Sequence, residues 1–265
     1  MKYQLGFIGC GNMGGALITA AAKTVDGKQI AVCDHNPTKT ETFVKNFGAC
    51  AVTSTQIAKE AAFVVLGVKP QVMKEAIAEF ADVLQQRNDV TVVTMAAGVS
   101  IAAIRAYIGK EVPVIRIMPN TPAALGAGMI VYATANVTAD AEKAFLHSFE
   151  KAGVFDKIPE EKIDAASALS GCGPAFVYAF AEALADGGVA CGVPRDKAAL
   201  YAAQTLLGAA EMLLAYGHPA DLKDAVCSPG GTTIAGIHAL ENAGFRGATM
   251  SAVTAAYDRT LELKK

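Results

Sequence analysis

A glycine-rich turn near the start of the chain restricts the fold more than any other feature. Residues 3–9 alternate apolar positions and lead into Gly9-Cys10-Gly11-Asn12-Met13-Gly14, and an alanine-rich segment predicts a helix over residues 12–23. The GxGxxG spacing between a strand and a helix is typical of a dinucleotide-binding turn. Gly9 would allow the tight turn, Gly11 a close approach of the pyrophosphate, and Gly14 close packing of the helix.

Strand and helix signals then alternate through the first 159 residues. A second strand over residues 29–33 is followed by short apolar strands near residue 51 and at 63–68, 90–94 and 114–118, with a helix predicted over 71–86. Two further strands, 128–133 and 153–158, flank a predicted helix over 139–151. This order predicts an α/β, Rossmann-type domain at residues 1–159, with a mostly parallel sheet covered on both faces by helices.

Strand signals disappear after residue 159, so an all-α domain is predicted over residues 160–265. Helices are expected at 163–169, 174–186, 194–216, 220–226, 229–243 and 246–263. Several of them are apolar on most faces, which indicates buried helices that a domain of this size cannot cover alone. We therefore expect a homodimer formed through these C-terminal helices.

Ligands of such a sheet bind at the carboxyl ends of its strands. Asp34 follows the second strand at the position where an acid binds the ribose of NAD, although it could instead cap the next helix. His35, Asn36 and Lys39 are the candidate residues that would suit NADP, so NADP remains an alternative to NAD. Lys69 could bind a ribose or phosphate or simply be solvated, and Asn120 could bind the carboxamide. The predicted cofactor contacts are Ile8, Gly9, Cys10, Gly11, Asn12, Met13, Asp34, His35, Asn36, Val68, Lys69, Pro70, Ala97 and Asn120.

A second small-residue segment, Ser228-Pro229-Gly230-Gly231-Thr232-Thr233, lies late in the chain. Ser228 is predicted to be an N-cap with Pro229 at the first helical position, which places both glycines in the first helical turn. Unpaired N–H groups there could bind a small carboxylate or phosphate. The alternative is a glycine-containing helix start packed against a neighbour.

Composition excludes some partners. The net charge is −2 and the calculated pI is 6.1, which argues against nucleic acid and against an anionic membrane surface. Hydrophobic residues make up 52% of the chain, yet no continuous apolar run approaches the ~18 residues of a membrane span. The six cysteines and four histidines lack zinc-site spacing, so no metal is expected. The N-terminus lacks a secretory signal pattern, which indicates a cytoplasmic protein.

Motifs along nearly the whole chain resemble those of the pyrroline-5-carboxylate reductase family. The resemblance rests on residues 6–13, Val68-Lys69-Pro70, Ala96-Ala97-Gly98 and Asn120-Thr121-Pro122. It continues through residues 170–175, 185–188 and 204–208, and the most specific match is Leu222-Lys223-Asp224 followed by residues 228–234.

This resemblance implies NAD(P)H-dependent reduction of 1-pyrroline-5-carboxylate to L-proline by a domain-swapped helical dimer, often assembled into a ring of dimers. It also implies that Ser228, Gly230, Gly231, Thr232 and Thr233 hold the substrate. By the same resemblance, Glu160 approaches the substrate and Ser54 lies near the adenine of the cofactor. Cys172 stands where the family usually has serine, and Asp34-His35-Asn36 leaves the choice between NADH and NADPH open.

The chemistry of a cyclic imine agrees with these residues. A protonated imine is already electrophilic, so positioning is required more than a strong acid. Thr233, as the predicted catalytic residue, would hydrogen-bond the ring nitrogen. The alternatives are a hydroxyacid-type dehydrogenase, which would need a base such as a lysine that residues 167–186 lack, and a non-catalytic redox sensor.

Overall fold

The computed structural model describes residues 1–263 and contains an eight-stranded sheet. The strand order is β3-β2-β1-β4-β5-β6-β7-β8. Strands β1 to β6 are parallel, β7 is antiparallel to β6, and β8 is parallel to β7. The strands are β1 Tyr3–Ile8, β2 Ile30–Cys33, β3 Cys50–Ala51, β4 Ala61–Leu66, β5 Thr91–Thr94, β6 Val114–Met118, β7 Gly128–Ala135 and β8 Gly153–Lys157. The order of the parallel strands is that of the Rossmann fold, which confirms the predicted fold class.

Helices cover both faces of this sheet because alternate residues of the central strands point to opposite sides. Leu66 and Val92 belong to one buried apolar cluster, and their neighbours Val65 and Val93 belong to the other. The helices of this part are α1 Asn12–Ala21, α2 Pro37–Phe47, α3 Ser54–Glu60, α4 Met73–Ala78, α5 Ala81–Gln85, α6 Ile101–Ile108, α7 Ala139–Ser148 and α8 Ile163–Ser170.

One predicted helix is wrong. The single helix expected over residues 71–86 is a 3-10 turn, Pro70–Val72, followed by the separate helices α4 and α5. The break occurs at Phe80, whose φ of −138° is not helical and whose side chain is fully buried in the core. Phe80 is the N-cap of α5, so this buried ring lies in the connection between the two helices, and the apolar spacing of the sequence does not predict that connection.

The chain after α8 forms further helices joined by turns, as the sequence predicts. The helices are α9 Gly173–Ala190, α10 Arg195–Tyr216, α11 Pro219–Ala225, α12 Thr232–Asn242 and α13 Phe245–Glu262. The chain forms two compact units, one of Met1–Cys172 with the last residues from Ala256 onward, and one of Gly173–Ala255. Helix α8 therefore packs with the sheet, and the domain boundary between residues 159 and 160 stays a prediction.

Two helical stretches, Glu160–Ala190 and Arg195–Tyr216, are long and apolar enough to cross a membrane by length and composition alone. The search of the sequence for a continuous apolar run did not detect these two stretches, because isolated polar residues interrupt both of them. Their side chains are mostly exposed in the single chain, so these helices carry apolar surface that the protomer does not cover.

Candidate functional site

The glycine-rich turn lies where β1 meets its two parallel neighbours. The register pairs Ile8 with Cys33 of β2 and with Leu66 of β4. Gly9 has a φ of +99° and its N–H donates to the carbonyl of Cys33 at 2.8 Å. A Cβ on Gly14 would lie 2.3 Å from the Gly9 carbonyl oxygen, so these two glycines are required by the turn itself.

Gly11 differs from these two glycines. Among the described residues, no atom lies within 4 Å of the position that its Cβ would occupy, and no side chain caps α1, whose N-cap is Gly11. The free face of Gly11 and the first-turn N–H groups of α1 together suit a pyrophosphate, because unpaired N–H groups at a helix N-terminus bind anions. The turn therefore fits a dinucleotide.

Asp34 is held by the backbone at the end of β2. Its Oδ2 accepts from the N–H of Cys10 at 2.8 Å and its Oδ1 accepts from the N–H of Asn36 at 2.9 Å. Burial would raise the pKa of this carboxyl, but the hydrogen bonds from Asn36 and Cys10 outweigh burial and lower the pKa below its usual value. Asp34 therefore connects β2 to the glycine-rich turn as an anion, a role that sequence reasoning did not assign.

Two exposed basic side chains lie against the same carboxylate. The Nδ1 of His35 is 3.1 Å and the Nζ of Lys39 is 3.7 Å from Oδ1 of Asp34. Only 4% of the Asp34 side chain is exposed, against 90% of His35 and 41% of Lys39. Asn36, not Asp34, caps α2, since its Oδ1 accepts from the N–H of Thr38. The surface at the end of β2 is therefore formed by His35, Asn36 and Lys39.

The other predicted cofactor residues lie at or near the carboxyl edge of the sheet and differ in exposure and in hydrogen-bond partners. Lys69 is exposed and precedes the turn Pro70–Val72. Ser54 opens α3, and its hydroxyl donates to Glu79 at 2.9 Å. The amide of Asn120 is already bonded at both ends, because its Oδ1 accepts from Met129 N–H and its Nδ2 donates to the Ser170 carbonyl, each at 3.0 Å. Its contact with a cofactor carboxamide stays a prediction.

Glu160 belongs to a buried ionic cluster. Its Oε1 accepts from the N–H of Ile101, at the start of α6, at 2.7 Å and lies 3.2 Å from Nη1 of Arg116. Arg116, in the middle of β6, also donates from Nη2 to Oδ1 of Asp164 at 2.6 Å. Sequence reasoning missed Arg116 and Asp164. The signal was a single charge inside the apolar strand Val114–Met118, with two acids four residues apart on a following helix.

The late small-residue segment folds differently from the prediction. Helix α12 begins at Thr232 with Gly231 as its N-cap, so Ser228 is not an N-cap and Pro229 is not at the first helical position. Residues 228–231 form a turn closed by a hydrogen bond from Gly231 N–H to the Ser228 carbonyl at 3.0 Å. Gly230 has a φ of +69°, which a helix does not allow, and Pro229-Gly230 is a typical turn corner.

This correction moves the glycines in front of the helix but leaves the N–H groups exposed. No side chain within residues 1–263 caps α12, and a Cβ on Gly230 would meet no described atom within 4 Å. Ser228, Gly230, Thr232 and Thr233 are all exposed in the protomer. A small anion can therefore reach the first-turn N–H groups of α12 and the two threonine hydroxyls.

Family models match both parts of the chain. Residues 160–263 match the model for pyrroline-5-carboxylate reductase dimerisation, and residues 4–98 match that for NADP oxidoreductase, coenzyme F420-dependent. The pyrroline-5-carboxylate reductases of Pisum sativum and Escherichia coli are each 40% identical to the chain. The alignment covers 99% of the chain and 96% of the pea protein, and the whole of both chains for the bacterial one.

Solved structures agree with these matches. The crystal structure of the Plasmodium falciparum pyrroline carboxylate reductase with NADP bound superposes with a TM-score of 0.89 at 30% identity, over the full length of both chains. The enzyme from Coxiella burnetii gives the same TM-score at 32% identity, also over both full lengths. These matches confirm the resemblance seen in the motifs, and the chain belongs to the pyrroline-5-carboxylate reductase family.

Proposed function

We propose that the protein reduces 1-pyrroline-5-carboxylate to L-proline with NAD(P)H, the last step of proline biosynthesis. The observation that carries this proposal is the turn at Ser228–Gly231 followed by the uncapped start of α12, because it offers a site for one small carboxylate in a chain whose other unit carries a dinucleotide turn. Relatives at 40% identity over nearly the whole chain, named for this activity, support it.

The substrate side needs binding and orientation. The N–H groups at the start of α12 would hold the carboxylate, and Ser228, Gly230, Gly231 and Thr232 would shape the site around it. Thr233 would hydrogen-bond the ring nitrogen. Hydride adds to the carbon of the protonated C=N bond, the π pair moves to nitrogen, and the secondary amine of proline results. Glu160 is assigned to the substrate by family resemblance alone.

On the cofactor side, reduced nicotinamide supplies the hydride when bound. The turn at Gly9–Gly14 would hold the pyrophosphate, and Ser54 would lie near the adenine. The exposed basic side chains at the end of β2, the ammonium of Lys39 and the imidazole of His35, favour a 2′-phosphate, while Asp34 is covered and engaged with the backbone. We therefore infer a preference for NADPH over NADH, in contrast to the NAD preference that Asp34 suggested in the sequence.

The apolar helices α9 and α10 are proposed to pair with a second copy of the chain rather than with a membrane. Residues 160–263 match a dimerisation model, which accounts for their exposed apolar side chains. A ring of dimers is a further proposal from the family. A cytoplasmic location, with neither nucleic acid nor a metal involved, is consistent with the composition.

The test is a turnover assay on the purified protein with pyrroline-5-carboxylate and either NADPH or NADH. Proline should form with both cofactors, and kcat/KM for NADPH should exceed that for NADH by about tenfold or more, the value of one charged hydrogen bond. Lack of proline with both cofactors would refute the proposed reaction. A higher kcat/KM with NADH would refute only the cofactor preference.

A further inference from the structure

Arg116 is a buried, charged residue to which the proposed reaction assigns no contact with the substrate or the cofactor. It lies in the middle of β6, hydrogen-bonded on one side to β5 and on the other to β7, and only 2% of its side chain is exposed. Burying a guanidinium is costly unless carboxylates pair with it, and a hydrophobic residue there would often be as stable. In some proteins buried ionic groups serve to fix the conformation, and Arg116 is a candidate for that role.

The partners of Arg116 come from a single helical segment. Nη1 contacts Glu160, which opens the 3-10 turn Glu160–Lys162, and Nη2 contacts Asp164 in the first turn of α8. Because the guanidinium is planar and its two contacts lie side by side, it fixes the rotation of α8 as well as its distance from β6. A lysine would keep the charge but not this double contact.

Two further contacts extend the cluster to the carboxyl edge of the sheet. Glu160 Oε1 also accepts from Ile101 N–H, which holds the start of α6 just after the segment Ala97-Gly98-Val99. At the other end of α8, the Ser170 carbonyl accepts from Asn120, which follows β6. Helix α8 is therefore fixed at its start by Arg116 and at its end by Asn120. Asn120 is the residue predicted to bind the carboxamide, and Ala97 is one of the predicted cofactor contacts.

We propose that Arg116, with Asp164, is a positioning residue for hydride transfer. It sets the position of α8 and of the start of α6, and through them the segments around Ala97 and Asn120 against which the nicotinamide would lie. This inference rests on the proposed function, since it assigns Arg116 a role in that same reaction. The contacts of Arg116 and Glu160 described above join β6, the start of α6 and the segment leading into α8, so cofactor affinity, which we assign to the glycine-rich turn, should depend little on Arg116.

The test compares Arg116→Lys with Arg87→Lys. Arg87 is a matched control because it is also largely buried, and its Nη1 binds the carbonyls of Ala58 and Ala61, at the amino end of β4 and away from the proposed site. Thermal unfolding, the Kd for NADPH from its fluorescence, and kcat for proline formation are measured for the wild type and both variants.

In Arg116→Lys, kcat should fall by about tenfold or more, since sub-ångström misplacement of reacting groups has effects of this size. The Kd for NADPH should stay within about threefold of the wild-type value, because the pyrophosphate turn is intact. The deuterium isotope effect on kcat with 4-deuterated NADPH should increase as hydride transfer becomes slower. Arg87→Lys should leave kcat within about twofold of the wild-type value, even if its unfolding temperature falls by as much as that of Arg116→Lys.

A kcat within twofold of wild type in Arg116→Lys would overturn the proposal, and so would an equal loss of kcat in Arg87→Lys. If Arg116→Lys does not fold, Asp164→Asn, which keeps the shape of the side chain, replaces it and should lower kcat in the same way with unchanged Kd. Absence of proline formation by the wild type would instead refute the proposed function, so the two failures are distinguishable.

Discussion

At the scale of single residues, the proposed chemistry depends on hydroxyl and backbone groups rather than on a strong acid or base. Thr233 lies in the first turn of α12, exposed and next to the uncapped N–H groups. Asp34 is the opposite case, a charged side chain almost fully covered and bonded to two backbone N–H groups. Thr233 is exposed and can contact a ligand directly, whereas Asp34 stabilises the turn that would bind one.

Replacing Thr233 with alanine should lower kcat/KM for pyrroline-5-carboxylate by about tenfold, which corresponds to one lost hydrogen bond to the ring nitrogen. The Kd for NADPH should not change, because the hydroxyl is not assigned to the cofactor. Thr233→Ser keeps the hydroxyl and should retain most of the activity. Steady-state kinetics with a fluorescence titration of NADPH checks this, and an equal loss in the serine and alanine variants would contradict the role of the hydroxyl.

The lowered pKa of Asp34 gives a pH dependence with a definite sign. Because the folded state holds this carboxyl below its usual pKa, the anion contributes stability above the unfolded-state pKa of about 3.9, and this contribution is lost as the pH falls through the folded-state value. Asp34→Asn should therefore destabilise the protein clearly at pH 7 and much less near pH 3. Urea unfolding at the two pH values measures this.

Asp82→Asn serves as the control for Asp34→Asn, since it removes an equal charge from an exposed side chain in α5. Its effect on stability should be small at both pH values, as is usual for surface substitutions. If Asp34→Asn lowered stability equally at pH 7 and pH 3, the ionised carboxylate would not be the stabilising group.

At the scale of elements, the turn between β1 and α1 separates two uses of glycine within a few residues. Gly14 has no side chain because the carbonyl of Gly9 occupies the space, whereas the corresponding space at Gly11 contains no described atom. The sequence motif already predicts close helix packing for Gly14 and a close approach of the pyrophosphate for Gly11. The structure assigns the first to the packing of the helix and the second to an open surface.

A pair of alanine variants tests this separation. Gly11→Ala should leave the unfolding temperature nearly unchanged and weaken NADPH binding by about tenfold or more, since the methyl group would occupy the space proposed for the pyrophosphate. Gly14→Ala should lower the unfolding temperature, because its Cβ would lie 2.3 Å from the Gly9 carbonyl oxygen and the backbone must shift. Thermal unfolding and NADPH titration of both variants check the prediction, and identical behaviour of the two would contradict it.

At the scale of the whole molecule, the C-terminal helices carry more apolar surface than one chain covers. On α10, Leu200, Leu207 and Leu214 are each more than half exposed and recur at seven-residue spacing, so they lie on one face of the helix. The match of residues 160–263 to a dimerisation model supports the proposed partner, a second copy of the chain.

Leu207→Glu should therefore shift the protein toward monomers, because a charge in an apolar interface is costly. Light scattering coupled to size-exclusion chromatography should show at least a dimer for the wild type and a smaller species for the variant. Val154→Glu, on the exposed surface of β8, is the control and should remain assembled. A wild type that is monomeric at micromolar concentration would contradict the proposed assembly.

Local pattern was sufficient for much of the fold. The alternation of short apolar strands and helices, the turn at Gly9–Gly14 and the change to helices after residue 159 depend on neighbours in sequence, and the structure confirms the fold class. The start of α12 was predicted three residues too early, because Ser-Pro is a valid helix start when considered alone. Gly230 instead has a positive φ and forms part of a turn. Because glycine adopts positive and negative φ about equally well, the residue type alone does not predict which one occurs.

The sequence by itself determined the family, the order of elements and the residues of the glycine-rich turns, because short motifs of neighbouring residues are sufficient to identify all three. Only the tertiary structure decided that Asp34 bonds to the turn, that Asn120 is bonded at both ends, and that Arg116 joins Glu160 and Asp164. Four of these five hydrogen bonds join residues 24 to 50 positions apart in the chain. Their partners are set by strand order and helix packing, which the spacing of residues along a sequence does not specify.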